Sequence, residues 1–419
     1  MNEATLRFIH EHLDADVRSL ALRRVPADVD LHVALTQIEG HQLARRKLPT
    51  WAATPGLLWP PRLSLEQCSS EATAAYKRTL VQKTLSTLTP HPSPLTFADL
   101  TAGLGVDFVA LASLFDKAVY VERQEALCTI ARHNLPLLGL PHAEVHCATA
   151  EEMLLCFTAP FDLLLLDPAR RDNAGRKVAL LEDCTPNVLT LQKSLRAAAR
   201  CILLKLSPML DVTAAVNALS PVAEVHIVAV DGECKELLLV LNQEAETVSP
   251  VSVPIHCIDV KTSHLEGGHT LTTGGAGKEA SFCFTRSEEA IAPLHLAPSL
   301  GTYLYEPNAA LLKAGAFRIL CQRYPVQKLA PSTHLYTSDC FLSDFPGRRW
   351  RIISTTTFTK RDLRAFLQDV PAADLTTRGF PLSTAQLRRQ LHLREGGDTH
   401  LIATTLADGT RLLCRVQRI

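Results

Sequence analysis

Between residues 95 and 206 the chain repeats one pattern, and few folds can absorb it. A short apolar run ends on or beside a polar residue, and a stretch with helical spacing follows. Runs at 95–100, 118–121, 143–148, 161–166 and 201–206 read as strands, with Asp99, Glu122, Asp167 and Ser207 at or just past four of their ends. Runs this apolar are buried on both faces. Their alternation with helical stretches such as 192–199 predicts an α/β fold, a mostly parallel sheet wound on both sides. Two further strands, 223–230 and 236–241, extend the set.

The turn at residues 99–108, DLTAGLGVDF, is the most specific of these. It sets two glycines between the first strand and a helix that starts near Asp107, and only glycine lets backbone approach a ligand that closely. The spacing departs from the dinucleotide fingerprint, because Phe108 stands where that site has a small residue. Glu122 follows Asp99 by 23 residues and ends the second strand, where a carboxylate can take both hydroxyls of a ribose.

In this order the motifs resemble those of a class I S-adenosylmethionine-dependent methyltransferase with a Rossmann-like sheet. The resemblance implies that Asp99, Thr101, Ala102, Gly103 and Gly105 cradle the methionine part of S-adenosyl-L-methionine, that Glu122 binds ribose and that Glu151 meets the adenine edge. It also implies that the end of the fourth strand faces the transferring methyl. No pyrophosphate then needs a helix N-terminus, in keeping with the missing third glycine.

The segments EQCSSEATAAYKR (66–78), LLLLDPARR (163–171), YLYEPNAALLKAGAF (303–317) and LHLREGGDTHLIATTL (391–406) narrow the resemblance. With the glycine turn they are similar to the Bacteroidetes-type methyltransferases that carry a ferredoxin-like insert and a THUMP-like C-terminal domain. The expected organisation is an N-terminal helical region (1–64), the methyltransferase domain (65–245), a ferredoxin-like accessory region (246–335) and a THUMP-like basic domain (336–419). Within the first region Leu6, Ile9, Leu13 and Val17 have helical spacing. Serines near 69–70 are placed to cap a helix that runs to about Leu88.

Charge is balanced over the whole chain, 43 basic against 43 acidic residues, but it is not evenly spread. From Pro346 onward 13 Arg and Lys face 6 acids, an excess that points to a polyanionic partner. THUMP domains of other enzymes bind structured RNA, so the resemblance implies an RNA partner, a tRNA or an rRNA. The 12 cysteines include no CxxC pair, so neither a zinc site nor a disulfide framework is expected. No apolar run reaches the ~20 residues of a membrane helix and no signal-peptide pattern opens the chain, so a cytoplasmic protein without a membrane partner is expected.

For the chemistry, Asp167, Pro168, Arg170 and Lys205 are the candidate catalytic residues. Residues 167–170, DPAR, fall where base-amino methyltransferases carry (Asp/Asn)-Pro-Pro-aromatic, with Arg170 in place of the stacking ring. Uracil-C5 methylation is disfavoured, because Ser207 occupies the place of its cysteine nucleophile and Cys201 lies at the other end of the strand. A lysine inside the apolar run 202–206 needs a partner, and Lys77, Asp167, Lys205 and Glu236 together resemble the tetrad of ribose 2′-O-methyltransferases. In that tetrad a lysine of lowered pKa deprotonates the hydroxyl. The expectation is transfer to a base nitrogen of structured RNA. Ribose 2′-O-methylation through that tetrad, a non-RNA substrate, and an RNA-binding module without turnover are the alternatives.

Overall fold

The structure is a computed structural model describing residues 1–87, 94–169, 180–243, 248–265, 268–271 and 281–419. Its contacts divide the chain into two units. The first is Met1–Asp231, Lys235–Pro250 and Val260–Gly277; the second is Gly232–Cys234, Val251–Asp259 and Lys278–Ile419.

In the first unit the expected strands form at Thr96–Asp99 (β1), Lys117–Glu122 (β2), Glu144–Cys147 (β3), Phe161–Leu166 (β4), Ala199–Leu206 (β5), Glu224–Val230 (β6) and Glu233–Asn242 (β7). They lie in the order β3-β2-β1-β4-β5-β7-β6. β1 is parallel to β2 and β4, β3 to β2, and β5 to β4, whereas β7 is antiparallel to β5. Strand order reverses direction between β1 and β4, and in open α/β sheets the crevice beyond such a switch point is the ligand site. Asp99 and Asp167 stand at that crevice.

Phe97, Phe108, Tyr120, Leu163 and Leu203 are buried together in the sheet's core. The ring of Phe108 stacks on Phe97 (centroids 5.6 Å apart) and meets Tyr120 edge-on (5.5 Å). A wedge of aromatic contacts therefore holds the helix Val106–Ala112 where a dinucleotide fold uses a glycine. A second cluster joins Trp51, Trp59 and Leu65 to Leu104 and Val106, so the N-terminal helices pack directly onto the glycine turn. Gly40 allows this approach, since a Cβ there would lie 2.4 Å from Cβ of Trp59.

The N-terminal face expected from Leu6 to Val17 is interrupted. The helix Glu3–Glu11 ends before Leu13, and Asp16 caps a new helix, Val17–Ala21, whose anchor is Leu20. A local cap has overridden the apolar spacing, and Leu6 is left 44% exposed. The helix Glu71–Thr87 forms as expected, with Ser70 Oγ accepting from the Thr73 amide.

Beyond β7, Ile255–Val260 (β8) pairs antiparallel with Phe282–Phe284 (β11), while Thr262–Leu265 (β9) and Gly268–Leu271 (β10) form their own antiparallel pair. The second unit contains a seven-stranded sheet. Its strands are Tyr303–Pro307 (β12), Gln327–Ala330 (β13), Thr333–Ser338 (β14), Gly347–Thr357 (β15), Ala372–Arg378 (β16), Arg394–Thr405 (β17) and Arg411–Arg418 (β18). They run β13-β14-β12-β15-β18-β17-β16, antiparallel except for β16 with β17. The turn at Asp408 and Gly409 joins β17 to β18 as its sequence suggests, with Gly409 at φ 88°. Residues 335 and 336, the expected domain boundary, fall within β14.

Candidate functional site

The glycine turn is braced from below and open above. Asp99 is buried at the end of β1 and accepts the Thr101 amide (3.0 Å). Burial pushes its carboxyl well above the usual carboxylate range. The Thr101 hydroxyl accepts the Asp167 amide at 2.6 Å, tying the turn to the end of β4. Gly103 and Gly105 take φ values of 57° and 89°, in the left-handed region. A Cβ on Gly103 would meet nothing nearer than the Thr101 carbonyl oxygen at 3.9 Å, so ligand can reach this backbone.

Glu122 closes the other side of the turn. Its Oε2 accepts from the Gly103 amide (3.1 Å) and its Oε1 from the Gln124 amide (2.9 Å). Each carboxylate oxygen keeps a further lone pair, so this buried group can still accept from two ribose hydroxyls. Tyr120 donates its hydroxyl to the Gly103 carbonyl oxygen and fixes the loop from the sheet side. Glu151 is exposed in the first turn of the helix Ala150–Cys156, and the capping acid there is its neighbour Glu152, bonded to Thr149.

Lys77, Lys205, Glu236 and Asp167 do come together, with two further residues between them. Lys77 is fully buried and pairs with Glu236 (2.5 Å) and Asp107 (3.0 Å). Lys205 pairs with Asp167 (2.5 Å) and lies 3.6 Å from Asp107. The Ser69 hydroxyl accepts from Lys77 (3.1 Å) and Lys205 (3.0 Å). Its single proton goes to Asp107 at 2.6 Å, with Glu236 the alternative acceptor at 3.1 Å. Exposure rises along this chain of contacts. The side chain of Lys77 is 0% exposed, that of Lys205 10% and that of Asp167 40%, so the Lys205–Asp167 end is the open one.

Burial alone would lower the pKa of Lys205, but Asp167, Asp107 and Glu236 outweigh it and hold the ammonium above its ordinary value. The tetrad's lysine of lowered pKa is therefore corrected: in this arrangement three carboxylates keep Lys205 protonated. Burial likewise opposes ionisation of Asp107, yet Lys77, Lys205 and the Ser69 hydroxyl bring its carboxyl below the ordinary range.

Ser69 and Asp107 were missed in the sequence. The signal was available for Asp107, a carboxylate set in the apolar helix start GVDFVALA, by the argument already applied to Lys205. Ser69 reads only as a cap. Pro168 follows Asp167 at the mouth, Ala169 makes an isolated bridge with Thr185, and Cys201 is buried in the core. Arg170 and Arg171 lie outside the described residues.

A crystal structure from Porphyromonas gingivalis W83, described as a methyltransferase, matches with a TM-score of 0.82 and 34% identity, over 99% of this chain and 97% of that one. A ferredoxin-like domain model matches residues 303–346 and a THUMP domain-like model matches residues 347–416. The chain belongs to this methyltransferase family. Two Mycobacterium tuberculosis proteins, from strains CDC 1551 and H37Rv, are 25% identical over 327 residues, 76% of this chain and 81% of each of theirs. Both bear the name uncharacterized S-adenosylmethionine-dependent methyltransferase. S-adenosylmethionine is the cofactor of this methyltransferase, and the open glycine turn with the buried Glu122 carboxylate fits it. Among the described residues of the methyltransferase no helix is long and apolar enough to cross a membrane.

Proposed function

We propose that the methyltransferase modifies RNA and that the accepting atom is a ribose 2′-hydroxyl oxygen. The observation that carries this reading is the Lys205 ammonium beside Asp167 at the open end of the cluster. When bound, S-adenosylmethionine supplies a methyl group on a sulfonium. A hydroxyl oxygen attacking it gains negative charge as its proton leaves, and a fixed ammonium stabilises that charge. A neutral ring or exocyclic nitrogen gains positive charge instead, which the same ammonium repels. Lys205 thus offers a donor that an attacking oxygen can use and an attacking nitrogen cannot, which favours oxygen over the base nitrogen expected from residues 167–170.

In this reading Asp167 Oδ2 is held by Lys205, and Oδ1, without a partner among the described residues, accepts the hydroxyl proton. Lys205 donates to the developing alkoxide. Lys77, Glu236, Asp107 and Ser69 hold Lys205 in place and do not touch substrate. Asp99, Thr101, Ala102, Gly103 and Gly105 form the methionine cradle, Glu122 takes the ribose of the donor and Glu151 stands toward its adenine. Support for RNA comes from the THUMP domain-like match and from the arginines of residues 346–419. Arg348, Arg378, Arg388 and Arg415 have carboxylate partners, whereas Arg351, Arg361, Arg364, Arg389, Arg394, Arg411 and Arg418 have none among the described residues.

Mass spectrometry of nucleosides from total RNA, with and without the gene, tests the proposal. Loss of one 2′-O-methyl nucleoside is expected. Loss of a base-methylated nucleoside would return the reading to base nitrogen, and an unchanged RNA profile would remove RNA as the substrate.

A further inference from the structure

The second unit contains a cleft that no catalytic role absorbs. It has a volume of about 310 Å³ and is lined by Tyr303, Phe341, Arg351, Gln417, Arg418 and Ile419. That is the lower end of the range for small-molecule sites, enough for one nucleotide. We infer that this cleft holds one unpaired nucleotide of the RNA, its base against Phe341 and Tyr303 and its phosphate on Arg351. The inference rests on the RNA reading above.

The sheet register builds the cleft. Tyr303 on β12 pairs with Arg351 on β15, which pairs with Gln417 on β18. Residues directly opposite in antiparallel strands project from the same face, so an aromatic ring, a guanidinium and an amide form one row. The opposite face carries the buried Leu304 and Trp350, so the row belongs to the solvent side of the sheet. Phe341, 45% exposed, rises at the end of the row with its ring centroid 5.6 Å from that of Tyr303 and tilted by 49°.

Two features favour a nucleotide over other small ligands. Arg351, in the row itself, has no carboxylate partner among the described residues, and an exposed guanidinium left unpaired beside a cleft is suited to phosphate. The Arg349 guanidinium lies 5.9 Å from the Phe341 ring centroid and donates to the Ser343 carbonyl oxygen, so the ring is backed by a fixed cation. Its other face is available to a base. Aromatic rings among unpaired arginines form the usual platform for single-stranded nucleic acid, since every base offers a π-face. Gln417 can add a donor and an acceptor to the base edge.

The test uses the full chain and two fluorescein-labelled RNA hairpins of identical duplex, one blunt and one with a short 3′ oligoadenylate overhang, read by anisotropy. The wild type is expected to bind the overhang hairpin more tightly. Phe341→Ala should remove about tenfold of that affinity and leave blunt-hairpin binding unchanged, while Phe341→Trp retains it. Arg351→Gln should reduce the slope of log affinity against log salt by about 0.7, the single-strand value for one lost phosphate contact. Trp350 emission and a far-ultraviolet circular dichroism spectrum unchanged from the wild type certify that the second unit of each variant is folded. If the wild type binds RNA but shows no overhang preference, or Phe341→Ala keeps it, the cleft assignment falls and the RNA reading stands. If the wild type binds neither hairpin, the RNA reading falls and takes the cleft with it.

Discussion

Lys77→Met tests whether the buried charges form one network. The ammonium touches Glu236, Asp107 and Ser69, and its side chain is wholly enclosed. Methionine keeps most of the volume and removes the charge, leaving Glu236 and Asp107 buried with only Lys205 nearby. Removing one partner of a buried pair costs about 3–5 kcal/mol. With a urea m-value of about 2 kcal/mol per molar, the unfolding midpoint should fall by about 2 M. Trp51 and Trp59 report on the first unit, and a Trp350→Phe background silences the third tryptophan, which lies in the second. The pH dependence supplies a sign. In the wild type the Asp107 carboxyl is depressed, so its contribution is present above the ordinary carboxylate value near 3.8 and is lost as pH falls through the lower folded value. Without Lys77, burial dominates and the folded value rises, so protonation relieves the variant. Its deficit should therefore shrink between pH 7 and pH 5. A midpoint shift below about 0.5 M, or a deficit that does not change with pH, would refute the network.

Asp167→Asn preserves shape but removes the proton acceptor; turnover should fall by ~10²-fold or more while calorimetry still shows donor binding. Full activity in this variant would take Asp167 out of the chemistry. Glu122→Gln should weaken S-adenosylmethionine binding by roughly 10-fold or more, since a hydrogen bond to a charged group is worth about 1.5–3 kcal/mol; an unchanged dissociation constant would place ribose elsewhere. Because carboxylates hold Lys205 above its ordinary pKa, kcat should show no lysine-linked rise between pH 7 and about pH 10. A rise to a plateau near pH 8 or 9 would instead reveal a neutral lysine acting as base.

The sheet was legible because each strand had to be apolar along most of its length. β4 is buried at all six positions and β5 at seven of eight, so Asp167 and Lys205 were conspicuous as polar residues at or near their ends. The glycine turn was legible for a related reason, as Gly103 and Gly105 adopt backbone angles that other residues resist. The N-terminal pattern misled because apolar spacing carries no information on where a cap breaks the helix, and Asp16 does so. The pairing inside the charged cluster was less accessible still. It depends on the antiparallel insertion of β7 beside β5, which sets Glu236 one register position beyond the Leu206–Leu237 pair and within reach of Lys77. A hydroxyl such as Ser69 gives no periodic signal at all.

Ser69 nevertheless carries the strongest positional argument in the site. A serine hydroxyl has two acceptor positions and one proton, and here Lys77, Lys205 and Asp107 use all three. Through that oxygen the helix Glu71–Thr87, the helix Val106–Ala112 and β5 share one fixed point. Ser69→Ala deprives two ammoniums of an acceptor and Asp107 of a donor, a stability loss of about 1–3 kcal/mol. The more telling effect is on Lys205, which keeps Asp167 but loses the contact that fixes its other side. A displacement there weakens stabilisation of the developing oxyanion without touching the donor pocket, so kcat should fall about tenfold while KM for S-adenosylmethionine stays the same. Ser69→Thr, which restores the hydroxyl, should recover most of the rate. A purely structural role would lower stability in Ser69→Ala and leave kcat of the folded enzyme unchanged.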